Sequence, residues 1–281
     1  MNLARSDVRF PPRLKAIFDP PRSLYLRGSG EPELLGRRAV GVVGARSCSP
    51  YGAQVARMLG RELAAAGLVV VSGLARGIDG EAHRGALESG GPTVGVLGCG
   101  IDRDYPAANA SLFRRMEDGG LVVSEYEAGV EPAPWRFPAR NRIIAGLCEA
   151  VVVVEARQRS GALITADFAL EEGREVFAVP GEITSALSAG SNALLRLGAT
   201  PLTESGDVLE ALGIERADAT EDPDVSEAAK CVLGLVRDAP SGADELVARA
   251  SLEAGAVSVA LTELELAGLV ASADGLYRAV R

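Results

Sequence analysis

The sequence predicts an α/β protein: an extended, doubly wound, mostly parallel sheet followed by a small C-terminal winged-helix domain. Three observations predict it. Six short apolar runs recur between residues 39 and 179, separated by stretches at helical spacing. These runs are uniformly apolar instead of alternating, which implies strands buried on both faces and therefore parallel pairing. Beyond residue 226 the pattern changes to three short helical segments and one hairpin.

Taken in order, residues 1–35 are rich in proline and arginine and read as an irregular lead-in, with Leu14, Ile17 and Phe18 forming one amphipathic turn. The main domain is expected over 36–212. Its first strand is Ala39–Val43, after which Ser49 and Pro50 form a helix start: an N-cap, then proline at the first helical position. Val55, Met58, Leu59 and Leu63 continue that helix. Further strands are expected at Leu68–Val71, Thr93–Leu97, Leu121–Ser124, Val151–Val154 and Glu175–Val179. Residues 213–224 are acidic and aperiodic, a linker. The last domain, 225–281, carries helices at 228–236, 243–250 and 256–267, then strands around an Asp274-Gly275 turn.

Composition narrows the function classes. No apolar run approaches the ~20 residues that span a bilayer, and no signal-type stretch opens the chain, so a cytoplasmic protein is expected. One histidine, His83, and four scattered cysteines argue against a zinc cluster. Cys148 and Cys231 read as core thiols, Cys48 and Cys99 as loop residues. The net charge of −9 is unevenly placed. Residues 1–205 hold 23 basic and 23 acidic side chains, while 206–281 hold 6 and 15, so the whole imbalance lies in the C-terminal quarter. A local cationic patch in the larger domain is therefore compatible with an acidic chain.

Parallel sheets bind ligands where the turns after their strands gather. Phe137-Pro-Ala-Arg-Asn-Arg-Ile-Ile-Ala-Gly146 places Arg140, Asn141 and Arg142 there. Between Arg136 and Arg159 lie five arginines with only Glu149 and Glu155 opposing them. Ser160, with Gly161, caps a further helix whose N-terminus suits an anion, and Arg157 and Arg159 sit just upstream. Arg46, beside the first helix N-terminus, is a second anion site. Gly41-Val-Val-Gly-Ala-Arg46 lacks the spacing of a dinucleotide fingerprint, so no nicotinamide cofactor is expected. Ser72-Gly-Leu-Ala-Arg-Gly-Ile-Asp79 offers Ser72, Gly73 and Arg76 for close approach to a ligand, with Asp79 as N-cap or functional carboxylate. Pro180-Gly181 and Ser188–Asn192 make another loop at the same edge, open on residue type to a structural or a ligand-binding reading. Phe137 and Tyr126 are stacking candidates, Phe137 reading more readily as core.

These motifs together resemble one family. Arg46 with Tyr51-Gly52, the Ser72–Asp79 run, Ala82-His83, Gly98-Cys-Gly-Ile-Asp102, Tyr105-Pro106, Ser124-Glu-Tyr126, Phe137–Gly146, Val154-Glu-Ala156, Ser160–Thr165 and Val179-Pro-Gly181 are similar to the DprA/Smf DNA-processing proteins. The resemblance runs over roughly residues 10–205. It implies an extended Rossmann-like domain binding single-stranded DNA in a basic pocket, homodimerisation, loading of the RecA recombinase, protection of DNA in natural transformation, and no catalysis or cofactor. Carried over by position, Arg46, Arg140, Asn141, Arg142 and Arg157 would contact the DNA backbone, assisted by Ser160 and Gly161. Three departures stand out. Members often carry an N-terminal helical domain for which there is little room here; Ala45 replaces a common serine, and Glu127 a usual proline. The acidic winged helix is a poor duplex reader and is expected to contact protein. A rival reading is a nucleotide or nucleoside-phosphate hydrolase using Asp79, Asp102 or Glu125. A nucleotide sensor with the winged helix as its output is the third.

Overall fold

Among the described residues, seven parallel strands form the centre of the larger unit, and the inner ones present their side chains to two separate cores. The computed structural model describes residues 1–214, 225–273 and 275–279. It divides into two compact units, Met1–Arg216 and Ala217–Arg281. The strands are β1 (Asn2–Ala4), β2 (Ser23–Arg27), β3 (Ala39–Val43), β4 (Val69–Ser72), β5 (Thr93–Leu97), β6 (Leu121–Ser124), β7 (Ala150–Val153), β8 (Glu175–Ala178) and β9 (Thr200–Pro201). Among the described residues their order is β1-β2-β6-β5-β4-β3-β7-β8-β9. The helices of this unit are α1 (Pro12–Lys15), α2 (Pro50–Ala65), α3 (Ile78–Glu88), α4 (Ala110–Gly119), α5 (Arg136–Leu147), α6 (Gly161–Glu171), α7 (Ala189–Arg196) and α8 (Ser205–Ala211).

Alternate residues of each central strand explain the all-apolar runs. Val69, Val71, Val151 and Val153 pack with Ile143, Ile144 and Leu147 of α5 and the alanines of α6. Val70, Val152 and Phe177 pack on the other face with Leu59 and Leu63 of α2 and Ile78 of α3. Full burial of one such side chain contributes about 1.5–3 kcal/mol, so both faces must stay covered. The helix start at α2 forms as expected: the Ser49 hydroxyl accepts from the Gly52 N–H, with proline at the first position.

The lead-in differs from its irregular reading. Ser23–Arg27 buries Leu24 and Leu26 and half-exposes its other three residues, the period-two pattern of a strand with one face on the core. It pairs antiparallel with β6, Tyr25 opposite Ser124, and β1 adds outside it, Leu3 opposite Leu24. Of the three residues of the expected amphipathic turn, Leu14 and Ile17 pack against α5, but Phe18 is 98% exposed. Its backbone N–H instead donates to Glu172 at 2.8 Å.

In the smaller unit α9 (Glu227–Asp238), α10 (Ala243–Ala250) and α11 (Ala254–Leu266) precede the hairpin β10 (Val270–Ala273) and β11 (Leu276–Ala279). Val232, Leu233, Val236, Leu246, Leu261 and Leu264 form its core. Cys231 is exposed, contrary to the core reading, because the buried stripe of α9 continues one residue later at Val232. Asp274 and residues 215–224 of the expected linker lie outside the described residues.

Candidate functional site

The chain leaves β3 for β4 on one side, while β7 lies on the other, so the turns after β3 and β7 diverge. Such a switch point opens a crevice at the carboxyl edge of the sheet. Here it is a pocket of about 330 Å³ whose lining includes Arg46, Phe137, Arg140, Asn141, Arg157 and Arg159. A neighbouring pocket of about 200 Å³ shares Arg46, Ala75, Phe137 and Arg140 and adds Gly73, Arg76 and Tyr105.

Arg46, Arg76, Arg157 and Arg159 are exposed, and none makes an ion pair among the described residues. Only two acids oppose the five arginines between Arg136 and Arg159 in sequence, and neither faces the pocket. Glu149 is held by Arg13 at 2.5 Å and Arg38 at 2.8 Å. Glu155 is buried and accepts from the backbone N–H of Ser49 at 2.9 Å and its hydroxyl at 2.5 Å. This overturns the expected anion site at the N-terminus of α2, because a carboxylate of the protein already fills it. The signal was Gly52: any Cβ there would run into the Glu155 carboxyl group.

Phe137 is part of the site and not of the core. The Arg46 guanidinium lies over its ring, 5.2 Å from the centroid, and Tyr105 stacks with it at 5.3 Å and 25°. Arg46 therefore contributes more than charge, since it also holds an aromatic face upright beside that charge.

The remaining sequence-predicted residues divide by position. Arg140 lines both pockets but is buried, donating to the Gly73 carbonyl at 2.9 Å, to the Val96 carbonyl, and to Asn141 Oδ1 at 3.2 Å. Burial pushes its pKa down to about 10, opposed by Asp79, so it stays charged at neutral pH. It therefore forms a fixed cationic wall. Asp79 is not the N-cap of α3, which is Gly77. Burial raises its pKa, while Arg140 and the Ala75 and Gly73 N–H groups favour its charged form. Gly73 lets the pair sit against the strand end, since a Cβ would meet Arg140 Nη2 and lie 2.6 Å from Asp79 Oδ2. Asn141 Nδ2 donates to the Gly161 carbonyl at 3.0 Å, tying α5 to the start of α6. Ser160 caps α6 by accepting from Ala162, and Gly161 is exposed at the rim.

Two predicted residues are not brought into the pocket. The Ser72 hydroxyl is buried and donates to the Val42 carbonyl at 2.6 Å. Arg142 pairs with Asp19 at 2.9 Å and Glu125 at 2.7 Å, two positions and roughly 200° around α5 from Arg140. Conversely, Arg159, Ser47 and Thr165 line the crevice. The Pro180-Gly181 loop closes on itself instead of on the pocket, with Gly181 and Asn192 exchanging two hydrogen bonds at 3.1 and 3.0 Å.

The groups considered for acid–base work are buried or hold partners within the fold. His83 is fully buried, its Nδ1 2.7 Å from the Thr93 hydroxyl, and burial with nearby guanidinium groups lowers its pKa to about 3. Asp102 accepts from the Gly129 N–H at 2.9 Å. Glu125 pairs with Arg142. Burial raises the thiols of Cys48, Cys99 and Cys148 away from the reactive thiolate.

Fold and crevice together define the class: a doubly wound α/β protein with a cationic, aromatic-lined cleft at its switch point. Residues 2–213 match the family described as DNA recombination-mediator protein A, and residues 215–275 the DprA winged helix domain. The chain belongs to the DprA/Smf family of DNA-processing proteins. It is 41% identical over 283 residues to protein Smf of Escherichia coli, covering 97% of this chain and 75% of that one. The fold matches the structure of DNA processing protein A from Streptococcus pneumoniae with TM-score 0.71 and 46% identity, over 75% of this chain and 73% of that one. It matches DNA processing protein A from Helicobacter pylori with TM-score 0.66 and 32% identity, over 72% and 92%; a single-stranded DNA binding mode is described for that protein. No helix among the described residues is long and apolar enough to cross a membrane.

Proposed function

We propose that this protein binds single-stranded DNA along the crevice, protects it, and passes it to the RecA recombinase, acting as a cytoplasmic homodimer without catalysing a reaction. The observation that carries the reading is a set of four arginines, Arg46, Arg76, Arg157 and Arg159, around the Phe137 ring at the sheet's switch point, none of them ion-paired among the described residues. Cations that track phosphates beside an aromatic face are the arrangement by which unpaired strands are held without sequence preference. Arg140 and Asn141 support that surface from below; the exposed arginines make the contacts. The Helicobacter pylori relative's binding mode supports the same occupant. Burial of Asp79 beside Arg140, the Gly129 N–H on Asp102, the ion pair of Glu125 with Arg142 and the burial of His83 count against the nucleotide-hydrolase reading.

A salt titration of oligo(dT) binding, with duplex of equal length as control, tests the reading. Single strands should bind more tightly, with log affinity falling linearly in log salt. Equal or tighter duplex binding would refute it. Hand-off is tested by RecA filament assembly on strands pre-coated with single-strand-binding protein, which this chain should accelerate.

A further inference from the structure

We propose that Trp135 and Tyr126, with the Arg136 guanidinium between them, form a second base-stacking platform that extends the strand's path beyond the Phe137 crevice. The proposal rests on the single-strand reading above. Trp135 precedes α5 and is 63% exposed, a large apolar side chain left in solvent. A lone exposed aromatic needs no explanation, but this one is not alone. Arg136 Cζ lies 4.9 Å from the Trp135 ring centroid and 5.1 Å from that of Tyr126. The set is also held in place. Arg136 donates to the Glu131 carbonyl. The Tyr126 N–H donates to Ser124 Oγ at 3.0 Å, and the Tyr126 carbonyl accepts from the Ile101 N–H at 3.3 Å.

The next residue of α5 is Phe137, which carries the Arg46 stack inside the crevice. Two aromatic–arginine stacks thus leave the same helical turn from consecutive positions. A flat π-face flanked by a fixed cation matches an unpaired nucleobase followed by its phosphate, and continuity with the crevice selects the same strand as occupant.

Trp135 is the only tryptophan of the chain, so its emission reports on this platform alone. Oligo(dT) should quench that emission in step with binding followed by anisotropy of a labelled strand. An abasic strand of equal length should bind while leaving the emission unchanged. Trp135→Ala should weaken oligo(dT) binding by about tenfold, the range of one lost base stack. It should leave abasic binding nearly unaltered, and Trp135→Phe should retain most of the affinity. Bound oligo(dT) without quenching, equal quenching by the abasic strand, or parental affinity in Trp135→Ala would each overturn the platform while leaving the crevice reading intact. Absence of binding by either strand would overturn both.

Discussion

Glu155 and Ser49 are joined by two hydrogen bonds, backbone N–H to Oε2 at 2.9 Å and hydroxyl to Oε1 at 2.5 Å. They couple the end of β7 to the N-terminus of α2 and satisfy that helix end from within. Glu155→Gln keeps the shape but replaces one acceptor by a donor facing Ser49. The variant should lose about 1–3 kcal/mol of stability. Urea unfolding measures it, and an unchanged midpoint would show that the helix end does not depend on the charge.

The crevice predicts a contrast among arginines. Arg46→Ala and Arg157→Ala should weaken binding to all single strands alike and reduce the salt slope by about 0.7 for each phosphate no longer neutralised. Arg142→Ala should leave affinity unchanged and cost about 1 kcal/mol of stability through its pairs with Asp19 and Glu125. Anisotropy at several salt concentrations separates the two outcomes.

Gly73→Ala forces a methyl group between Arg140 and Asp79. Overpacking of this kind costs about 1–3 kcal/mol, and here it also displaces the cationic wall. Both the unfolding midpoint and oligo(dT) affinity should fall together. An affinity loss without a stability loss would show that Gly73 meets the strand directly.

His83 gives the fold an acid-side dependence. Burial holds its folded pKa at about 3, below the ordinary value of 6.5, so the unfolded chain binds the proton more readily between those values. Stability is fully present above pH 6.5 and is lost as pH falls toward 3. The loss approaches at most about 1.4 kcal/mol per pH unit from this single group. From about pH 6.5 down to about 5 it is the only side chain with an ordinary pKa in range, and His83→Asn should flatten the slope there. An unchanged slope in chemical unfolding would assign the dependence elsewhere.

Much of this is legible from residue order. The apolar runs point to the parallel sheet because burial on both faces leaves no polar positions, and Ser49 and Ser160 mark helix starts through their short acceptor side chains. Sequence spacing also places Arg46, Arg140 and Arg157 at one sheet edge. It cannot say which guanidinium groups point inward, since Arg140 and Arg142 differ only in their angle around α5. Nor can it show that Glu155 reaches across to α2, a contact between residues 106 positions apart. The alternation of Ser23–Arg27 is present in the sequence, but the prolines around it mask the strand.

That edge pairing has a consequence for handling the molecule. β2 lies hydrogen-bonded along β6, and β1 lies outside β2 with the Met1 nitrogen donating to the Leu26 carbonyl at 3.0 Å. Stripping these strands would bare the amides and carbonyls of β6 together with the apolar side chains beneath them. A chain trimmed to begin at the glycine-flanked turn Gly28-Ser-Gly30 would expose an unpaired strand ready to recruit others. The short lead-in thus guards the sheet against self-association, and shortened versions should be recovered as aggregates.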